Sequence, residues 1–229
     1  MQILVAISIC FVVTRAGAAP PTTPETTTSH GPPDPSNAAS MARYIIHNSD
    51  WASIATISTL SRTNHYPFVN LKSLSDGPPS NGTGVPYLYM TQLDLTGKDV
   101  QKNNRVTIMV TLAQSDYCKQ QSYDPQDPRC ARTILTGRLL KIPQDAPDYQ
   151  FARNSLFSRH PEMETWPKDH HFYIAKINVE QVLVLDQFGG VKNVAIEDYF
   201  NPPTEFSDGV TEIPKDTDKS EIFVFNILK

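Results

Sequence analysis

The sequence contains little cysteine and no block of basic residues. It has 3 cysteines among 229 residues, and its formal net charge at pH 7 is −4. Three cysteines are too few for a disulfide scaffold or a four-ligand zinc cage. An acidic chain without a basic patch also lacks the positive surface that attracts nucleic acid or an anionic membrane. We therefore expect neither a nucleic acid partner nor a structural zinc ion.

Motifs typical of catalytic or metal sites are missing or incomplete. The sequence has no Gly-x-Ser-x-Gly elbow and no Gly-x-Gly-x-x-Gly turn. The run His160-Pro161-Glu162 matches half of a zinc deaminase signature, but no Pro-Cys-x-x-Cys follows it. The adjacent His170 and His171 cannot point from one face of a helix or strand to a shared metal ion. We therefore predict no catalytic residue and no metal site.

No hydrophobic run reaches the roughly 20 residues that a membrane-spanning helix needs. The N-terminal apolar run, Ile3–Val13, is about eleven residues long, which is typical of a signal-peptide core. Ala16-Gly17-Ala18 then supplies the small residues that signal peptidase accepts. We predict that residues 1–18 are a signal peptide. The mature protein would then be secreted, or reach the endolysosomal lumen, without a membrane span.

Removal of the signal peptide would also remove Cys10 and leave two cysteines, Cys118 and Cys130. In an oxidising lumen two thiols usually form one disulfide bond. We therefore predict a disulfide between Cys118 and Cys130, and no nucleophilic cysteine.

One N-glycosylation sequon is present, Asn81-Gly82-Thr83. It lies in Asp76–Pro86, a stretch rich in glycine and proline that we predict to be a loop. A loop leaves the asparagine accessible to the glycosylation machinery. We therefore predict a glycan on Asn81.

The composition changes sharply towards both ends of the chain. Residues 19–36 are mostly proline, threonine and serine, so they cannot bury enough apolar surface to fold. The stretch Glu197–Glu221 contains eight acidic residues and two lysines. We predict a disordered linker over residues 19–36, one folded domain over residues 37–201 and an acidic extension over residues 202–229.

Within the folded domain the hydrophobic pattern is that of short strands. Val106, Ile108 and Val110, for example, alternate with more polar residues, so one face of that strand is apolar. Several short strands with few helices favour a small antiparallel barrel over a parallel sheet with crossover helices. The predicted strands are Trp51–Leu60, Tyr87–Thr91, Arg105–Ala113, Arg132–Ile142, Phe172–Asn178 and Gln181–Phe188. The predicted helices run from Asn37 or Ser40 to Ile46, from Leu95 to Asn103 and from Ala146 to Arg159.

Four residues carry more specific expectations about packing. Large aromatic side chains dominate burial, so we expect Trp51, Phe157 and Trp166 in the core. Gly137 lies inside a predicted strand, where glycine indicates a bulge or a bend of the barrel.

Several runs of residues in this domain resemble the CREG family of secreted glycoproteins. The strongest match is Asn154–Met163, which reads Asn-Ser-Leu-Phe-Ser-Arg-His-Pro-Glu-Met. The resemblance covers about residues 42–201, and it is specific because several motifs occur in the same order. The other matching segments are Ser53–Thr59, Ser73–Gly77, Gly84–Tyr87, Thr111–Gln114, Trp166-Pro167 and Val184–Gly190, together with Cys118 and Cys130.

The resemblance implies a mainly β fold with a few short helices, a split β-barrel of the FMN-binding, pyridoxamine-phosphate-oxidase-like type. It also implies a homodimer, the loss of flavin binding, and a non-catalytic secreted or endolysosomal glycoprotein that restrains growth and promotes differentiation by binding partners. A cell-surface or sorting receptor would be one such partner. The expected binding surfaces are the dimer interface and the Asp76–Pro86 loop. The chain departs from the family in its one sequon, at Asn81, and in its acidic extension.

An FMN-dependent oxidoreductase of the same fold is the alternative that the resemblance leaves open. The phosphate of FMN requires arginine or lysine together with hydroxyl or amide donors. In flavoenzymes of this fold such groups lie on the early strands and just after the third. The matching regions offer Ser58, Thr59, Lys72, Thr91 and Lys98 but no arginine. We therefore expect no bound cofactor.

Overall fold

The computed structural model describes residues 31–202. The predicted signal peptide, residues 19–30 of the predicted linker and the acidic extension from residue 203 onwards lie outside the described residues. The end of the predicted linker contacts the folded domain. Asn37 N–H donates to Asp34 O at 2.9 Å, and Lys192 Nζ donates to Pro35 O at 2.6 Å. The domain therefore begins about three residues before Asn37.

Within residues 31–202, seven strands form one antiparallel sheet that curls into a barrel. The strands are β1 (Trp51–Ile57), β2 (Pro67–Ser73), β3 (Tyr87–Met90), β4 (Arg105–Thr111), β5 (Arg132–Lys141), β6 (Tyr173–Leu185) and β7 (Lys192–Val194). Their order in the sheet is β2-β1-β4-β5-β6-β3, with β7 paired to β6. An isolated bridge between Ser75 and Tyr87 brings the end of β2 to β3, with N···O distances of 3.2 and 2.7 Å. The predicted mainly β split barrel with short helices is confirmed.

In the described part of the chain, five α-helices connect or cover the strands. They are α1 (Ala38–His47), α2 (Leu95–Lys102), α3 (Tyr117–Gln120), α4 (Tyr149–Arg159) and α5 (Ile196–Phe200). Short 3₁₀ turns lie at Ser61–Thr63, Leu112–Gln114, Pro161–Thr165 and Lys168–His170. No helix within residues 31–202 is long and apolar enough to cross a membrane.

Helix α1 packs its apolar face against the sheet and so forms part of the core. Asn37, one of the two predicted caps, is the N-cap, and its Oδ1 accepts from Ser40 N–H at 3.1 Å. An N-cap of this kind stabilises a helix by about 1 kcal/mol. Ala42, Ile45 and Ile46 are buried, and α1 packs on β4, β5, β6 and α5. Burying each isoleucine contributes roughly 1.5–3 kcal/mol.

Two of the predicted strands are a single strand in the structure. Phe172–Asn178 and Gln181–Phe188 were separate in the sequence pattern, but β6 runs without a break from Tyr173 to Leu185. The register shifts by one residue, Glu180, opposite Thr136 and Gly137, and strand pairing with β5 continues on both sides. A Cβ on Gly137 would lie 2.0 Å from Asn178 O, so the predicted bulge requires glycine there.

Strand β2 was missed because its pattern is not that of a core strand. Residues of Pro67–Ser73 are exposed or half-buried along the whole strand, and a proline begins it. Its seven residues pair with β1, and β2 is the first strand in the sheet order, so it is an edge strand.

The expectation of buried aromatic side chains is wrong for both tryptophans. Trp51 is 40% exposed, because it lies on the outward face of β1 while Ala52 and Ile54 take the inward positions. Trp166 is 36% exposed, just after the 3₁₀ turn that follows α4. Phe157 is half-buried and packs against the smaller of the two hydrophobic clusters.

Candidate functional site

The hydroxyl groups at the end of β1 converge on one buried carboxylate, Asp99 of α2. Thr56 Oγ1 donates to Asp99 Oδ2 at 2.7 Å. Thr59 donates twice to Asp99 Oδ1, from its backbone N–H at 2.8 Å and from Oγ1 at 2.7 Å. Asp99 is 2% exposed, so these donors replace the hydration of its charge. The donors that could hold a cofactor phosphate are therefore taken by an internal anion.

The other sequence-predicted phosphate ligands are scattered or already paired. Ser58 Oγ is 3.1 Å from Thr63 Oγ1 and accepts from Leu60 N–H at 3.2 Å. Lys72 forms a salt bridge with Asp94. Thr91 Oγ1 donates to a backbone oxygen, His170 O, at 2.6 Å.

Lys98 is exposed on α2, one position before the buried Asp99. Because a carboxylate repels a phosphate, an anion near these hydroxyl groups would meet a like charge. The residues present at the end of β1 and on α2 do not fit the phosphate of FMN. Sequence reasoning could not identify Asp99, since its partners lie about 40 residues away in the chain.

The Asp76–Pro86 loop is fixed by a buried ionic cluster. Asp76 is fully buried, and its Oδ1 lies 2.8 Å from His47 Nδ1 and 3.9 Å from Arg159 Nη2. Its Oδ2 accepts from Gly84 N–H at 3.0 Å. A buried carboxylate is tolerated only when such partners compensate its lost hydration. The cluster therefore fixes both ends of the loop on α1 and α4.

A second cation holds the far side of the same loop. Arg43 of α1 donates to Gly82 O at 2.6 Å and, at 3.2 Å each, to Tyr199 O and Phe200 O of α5. Tyr199 Oη donates to Gly84 O at 2.6 Å. Burial raises the pKa of the Tyr199 hydroxyl far above its usual range. Helix α5 and the loop are thus joined through buried polar groups.

Asn81 lies half-buried in this loop, with its N–H donating to Pro78 O at 2.9 Å. Thr83 Oγ1 donates to Asp76 O at 2.7 Å and accepts from Val85 N–H at 3.1 Å. A Cβ on Gly82 would lie 2.4 Å from His47 Nδ1, so the middle residue of the sequon has no room for a side chain. The predicted loop is confirmed, and glycosylation of Asn81 stays a prediction.

The disulfide that the sequence predicts between Cys118 and Cys130 is present. Cys118 of α3 and Cys130, just before β5, form a disulfide with a Cα–Cα distance of 5.3 Å. Both are buried in the main core. The bond closes a loop with a sequence separation of 12. It ties that surface loop to the sheet.

The outer face of the sheet carries a row of side chains that is apolar except for Ser53, and we call this row the outer strip. Register places Leu71 beside Ser53, Ser53 beside Met109, Met109 beside Ile134 and Ile134 beside Leu183. Leu71 is 58% exposed and Met109 is 38% exposed. Val69 and Trp51 flank the strip, also exposed. Contiguous apolar surface of this kind is typical of an interaction face.

A cleft of about 820 Å³ opens between α4 and the start of β6. Six aromatic residues line this cleft, which we call the aromatic cleft. Four of them have rings in contact with one another: Tyr89, Phe157, Trp166 and Phe172. Burial raises the pKa of the Tyr89 hydroxyl, since the charged form would lose hydration. Sequence reasoning assigned Trp166 and Phe157 to the core; the cluster of aromatic residues around Trp166 and Phe172 was the available signal.

Comparison with known proteins identifies the family of this chain. The family model described as "CREG, beta-barrel" matches residues 33–201. Protein CREG1 of Gallus gallus is 45% identical over 171 residues, which cover 74% of this chain and 88% of that protein. Protein CREG1 of Homo sapiens is 46% identical over 169 residues, covering 74% and 76% respectively.

A solved structure shares the fold at low identity. It is a heme binding protein from Mycobacterium smegmatis with a TM-score of 0.57 and 18% identity. The match covers 72% of this chain and 60% of the mycobacterial chain, and at that identity it supports the fold alone. The split-barrel type that the sequence predicts is confirmed. Because the family model matches residues 33–201 and the two CREG1 proteins are 45% and 46% identical to it, this chain belongs to the CREG beta-barrel family.

Proposed function

We propose that this chain is a secreted or endolysosomal glycoprotein that restrains growth and promotes differentiation by binding partner proteins, without catalysing a reaction. Membership of the CREG family supports this role. The predicted signal peptide and sequon support a lumenal or extracellular location.

The internal anion at Asp99 is the observation that supports a binding role over flavin chemistry. Thr56 and Thr59 donate to its carboxylate at 2.7–2.8 Å, so these donors are not available to a phosphate. A cofactor phosphate could reach these donors only if the Asp99 carboxylate moved away from them. The same-fold oxidoreductase is therefore the weaker candidate.

The outer strip supports a homodimer. Leu71 and Met109 lie on the same face and leave apolar surface in water, which a second copy would cover. Burial of such surface contributes about 25 cal/mol per Å². Because Leu71 lies on β2, a second copy on this face would also contact that edge strand.

The Asp76–Pro86 loop is the surface that we assign to a cell-surface or sorting receptor. The Asp76 cluster and Arg43 hold it on α1, α4 and α5, so its backbone is preorganised. A preorganised loop loses less conformational entropy on binding than a mobile one. A glycan on Asn81 would extend from the same surface.

The test uses full-length protein purified from culture medium. Its absorbance between 350 and 500 nm, its mass by light scattering and its effect on the proliferation of cultured cells are measured on one preparation. We expect a colourless dimer that slows proliferation in a dose-dependent way. Flavin absorbance bands in stoichiometric amount would overturn the non-catalytic role.

The dimer is tested separately with the double variant Leu71→Glu/Met109→Glu. Two buried carboxylates would disfavour a dimer on the outer strip, so we expect a monomer of unchanged fold. Val191→Glu, at an exposed apolar position outside the strip, is the matched control and should stay dimeric. A double variant that remains dimeric excludes this face.

A further inference from the structure

The rings of Tyr89, Phe172 and Trp166 pack together in the aromatic cleft, and the Trp166 ring is partly exposed to solvent. Tyr89 and Phe172 are stacked, with centroids 4.7 Å apart and planes inclined by 18°. The ring centroid of Trp166 lies 5.0 Å from that of Phe172 and 5.9 Å from that of Tyr89. Trp166 is 36% exposed, so much of its indole contacts solvent. A further ring could continue the stack with favourable offset or edge geometry.

The cleft is large enough to hold a small molecule, and further aromatic and apolar residues line it. Phe157 meets Tyr89 edge-on, with centroids 5.4 Å apart. Tyr149 and Ile142 also line the cleft, and Ile142 is buried. The volume of about 820 Å³ falls within the range of small-molecule sites, roughly 300–1,000 Å³.

The charges around the cleft are mostly positive. Lys141, Arg153 and Lys168 line it, and Glu164 is the only carboxylate among its described lining residues. Glu164 is already paired with Arg153 at 3.0 Å. Within the part of the chain that the structure describes, neither Lys141 nor Lys168 forms a salt bridge. Lys141 Nζ lies 5.4 Å from the centroid of the Tyr173 ring, a contact that leaves its charge unneutralised. Both lysines therefore remain without a carboxylate partner and can pair with an anionic group.

We propose that the aromatic cleft binds a small planar aromatic molecule that carries an acidic group, such as an aryl phosphate. The ring would stack on Trp166 and the acidic group would lie between Lys141 and Lys168. A neutral sugar could also stack on an indole, but it would not use the two lysines. The site does not include the predicted flavin-phosphate residues, since none of Ser58, Thr59, Thr91 and Lys98 lines the cleft.

The test is calorimetric titration of full-length secreted protein with 1-naphthyl phosphate at two salt concentrations. We expect saturable binding that weakens at higher salt, because an ammonium–phosphate contact is screened. Two partial probes, 1-naphthol and inorganic phosphate, should each bind at least tenfold more weakly. Equal affinity for 1-naphthol would show an apolar cleft without anion recognition, and would overturn the proposal.

Matched variants locate the two halves of the site. Lys141→Gln/Lys168→Gln should weaken binding at least fivefold and reduce its salt dependence. Lys98→Gln, which changes an exposed lysine outside the cleft, should bind like the original protein. Trp166→Ala should weaken binding at least tenfold, whereas Trp166→Phe should retain it within about threefold because a ring remains.

Each alternative outcome is decisive. Absence of binding at millimolar probe, or affinity unchanged in the double lysine variant, would refute the site. Weaker binding in Lys98→Gln would place the phosphate on α2 instead. Both cleft lysines are exposed, so the double variant should fold normally and keep the test valid even if Trp166→Ala is unstable.

Discussion

Thr59 and Asp99, 40 residues apart in the chain, are joined by two hydrogen bonds to a single carboxylate oxygen. The contact links the end of β1 to α2 and leaves Asp99 2% exposed. Carboxylates in this position are stable only while their donors remain in place.

Asp99→Ala should therefore lower the free energy of unfolding by about 2–4 kcal/mol, because the donors of Thr56 and Thr59 are left without an acceptor. Urea denaturation followed by circular dichroism measures the change. Asp116→Ala, at an exposed aspartate, is the control and should change stability by less than about 0.5 kcal/mol. Equal effects of the two variants would contradict a structural role for Asp99.

Asp76→Ala should destabilise the protein by about 3–5 kcal/mol, since Arg159 loses its buried carboxylate and the Gly84 N–H and His47 Nδ1 lose a hydrogen-bond partner. The Asp76–Pro86 loop should also become sensitive to limited proteolysis. Asp50 is the matched control, because it lies 3.7 Å from the same Arg159 but its side chain is 73% exposed. Asp50→Ala should cost less than about 1 kcal/mol. A loop that stays protected in Asp76→Ala would show that other contacts hold it.

Cys118→Ala should lower the free energy of unfolding by roughly 2–4 kcal/mol, because the closed loop gains conformational freedom in the unfolded chain. Secretion should continue at a reduced level. Denaturation with and without reductant provides the comparison, since reduction should destabilise the original protein but not the variant. Free thiols at both positions in secreted protein would refute the disulfide.

The free energy of unfolding should fall at alkaline pH because the buried Tyr199 hydroxyl keeps its proton in the folded state. Burial raises the pKa of its hydroxyl, whereas an unfolded tyrosine has a pKa near 10. The folded state therefore holds a proton that the unfolded state releases. The stability linked to this proton is complete below about pH 10 and falls as the pH rises further, by at most about 1.4 kcal/mol per pH unit.

The variant Tyr199→Phe isolates this effect. At pH 8 it should be less stable than the original by about 1–2 kcal/mol, because Gly84 O loses its donor. At pH 11 the difference should shrink or reverse. Tyr66→Phe, at a tyrosine that is 66% exposed, should show no such dependence. A constant difference across this pH range would exclude the linkage.

Asn81→Gln should remove one N-glycan from the secreted protein. Intact mass before and after treatment with an N-glycosidase measures the loss. Thr83→Ser keeps both the sequon and the hydroxyl group that donates to Asp76 O, so it should retain the glycan. An unchanged mass in Asn81→Gln would show that the site is not used.

The sequence by itself determined the features that depend on local pattern. Alternating apolar residues defined β4, and the apolar helix face after Asn37 or Ser40 predicted α1, whose N-cap is Asn37 in the structure. Cys118 and Cys130 were the two thiols left after the predicted signal peptide. These features follow from neighbours in the chain, from the periods of strands and helices, or from the chemistry of one residue type.

The tertiary structure alone decided which distant groups meet. It gave Thr59 its acceptor on α2 and joined two predicted strands into β6, because pairing with β5 continues on both sides of Glu180. It also left Trp166 at a solvent-facing cleft, where a large apolar side chain on its own predicts burial. Contacts between residues far apart in the chain depend on how the whole sheet curls, and a local signal such as Gly137 marks only one point of that curvature.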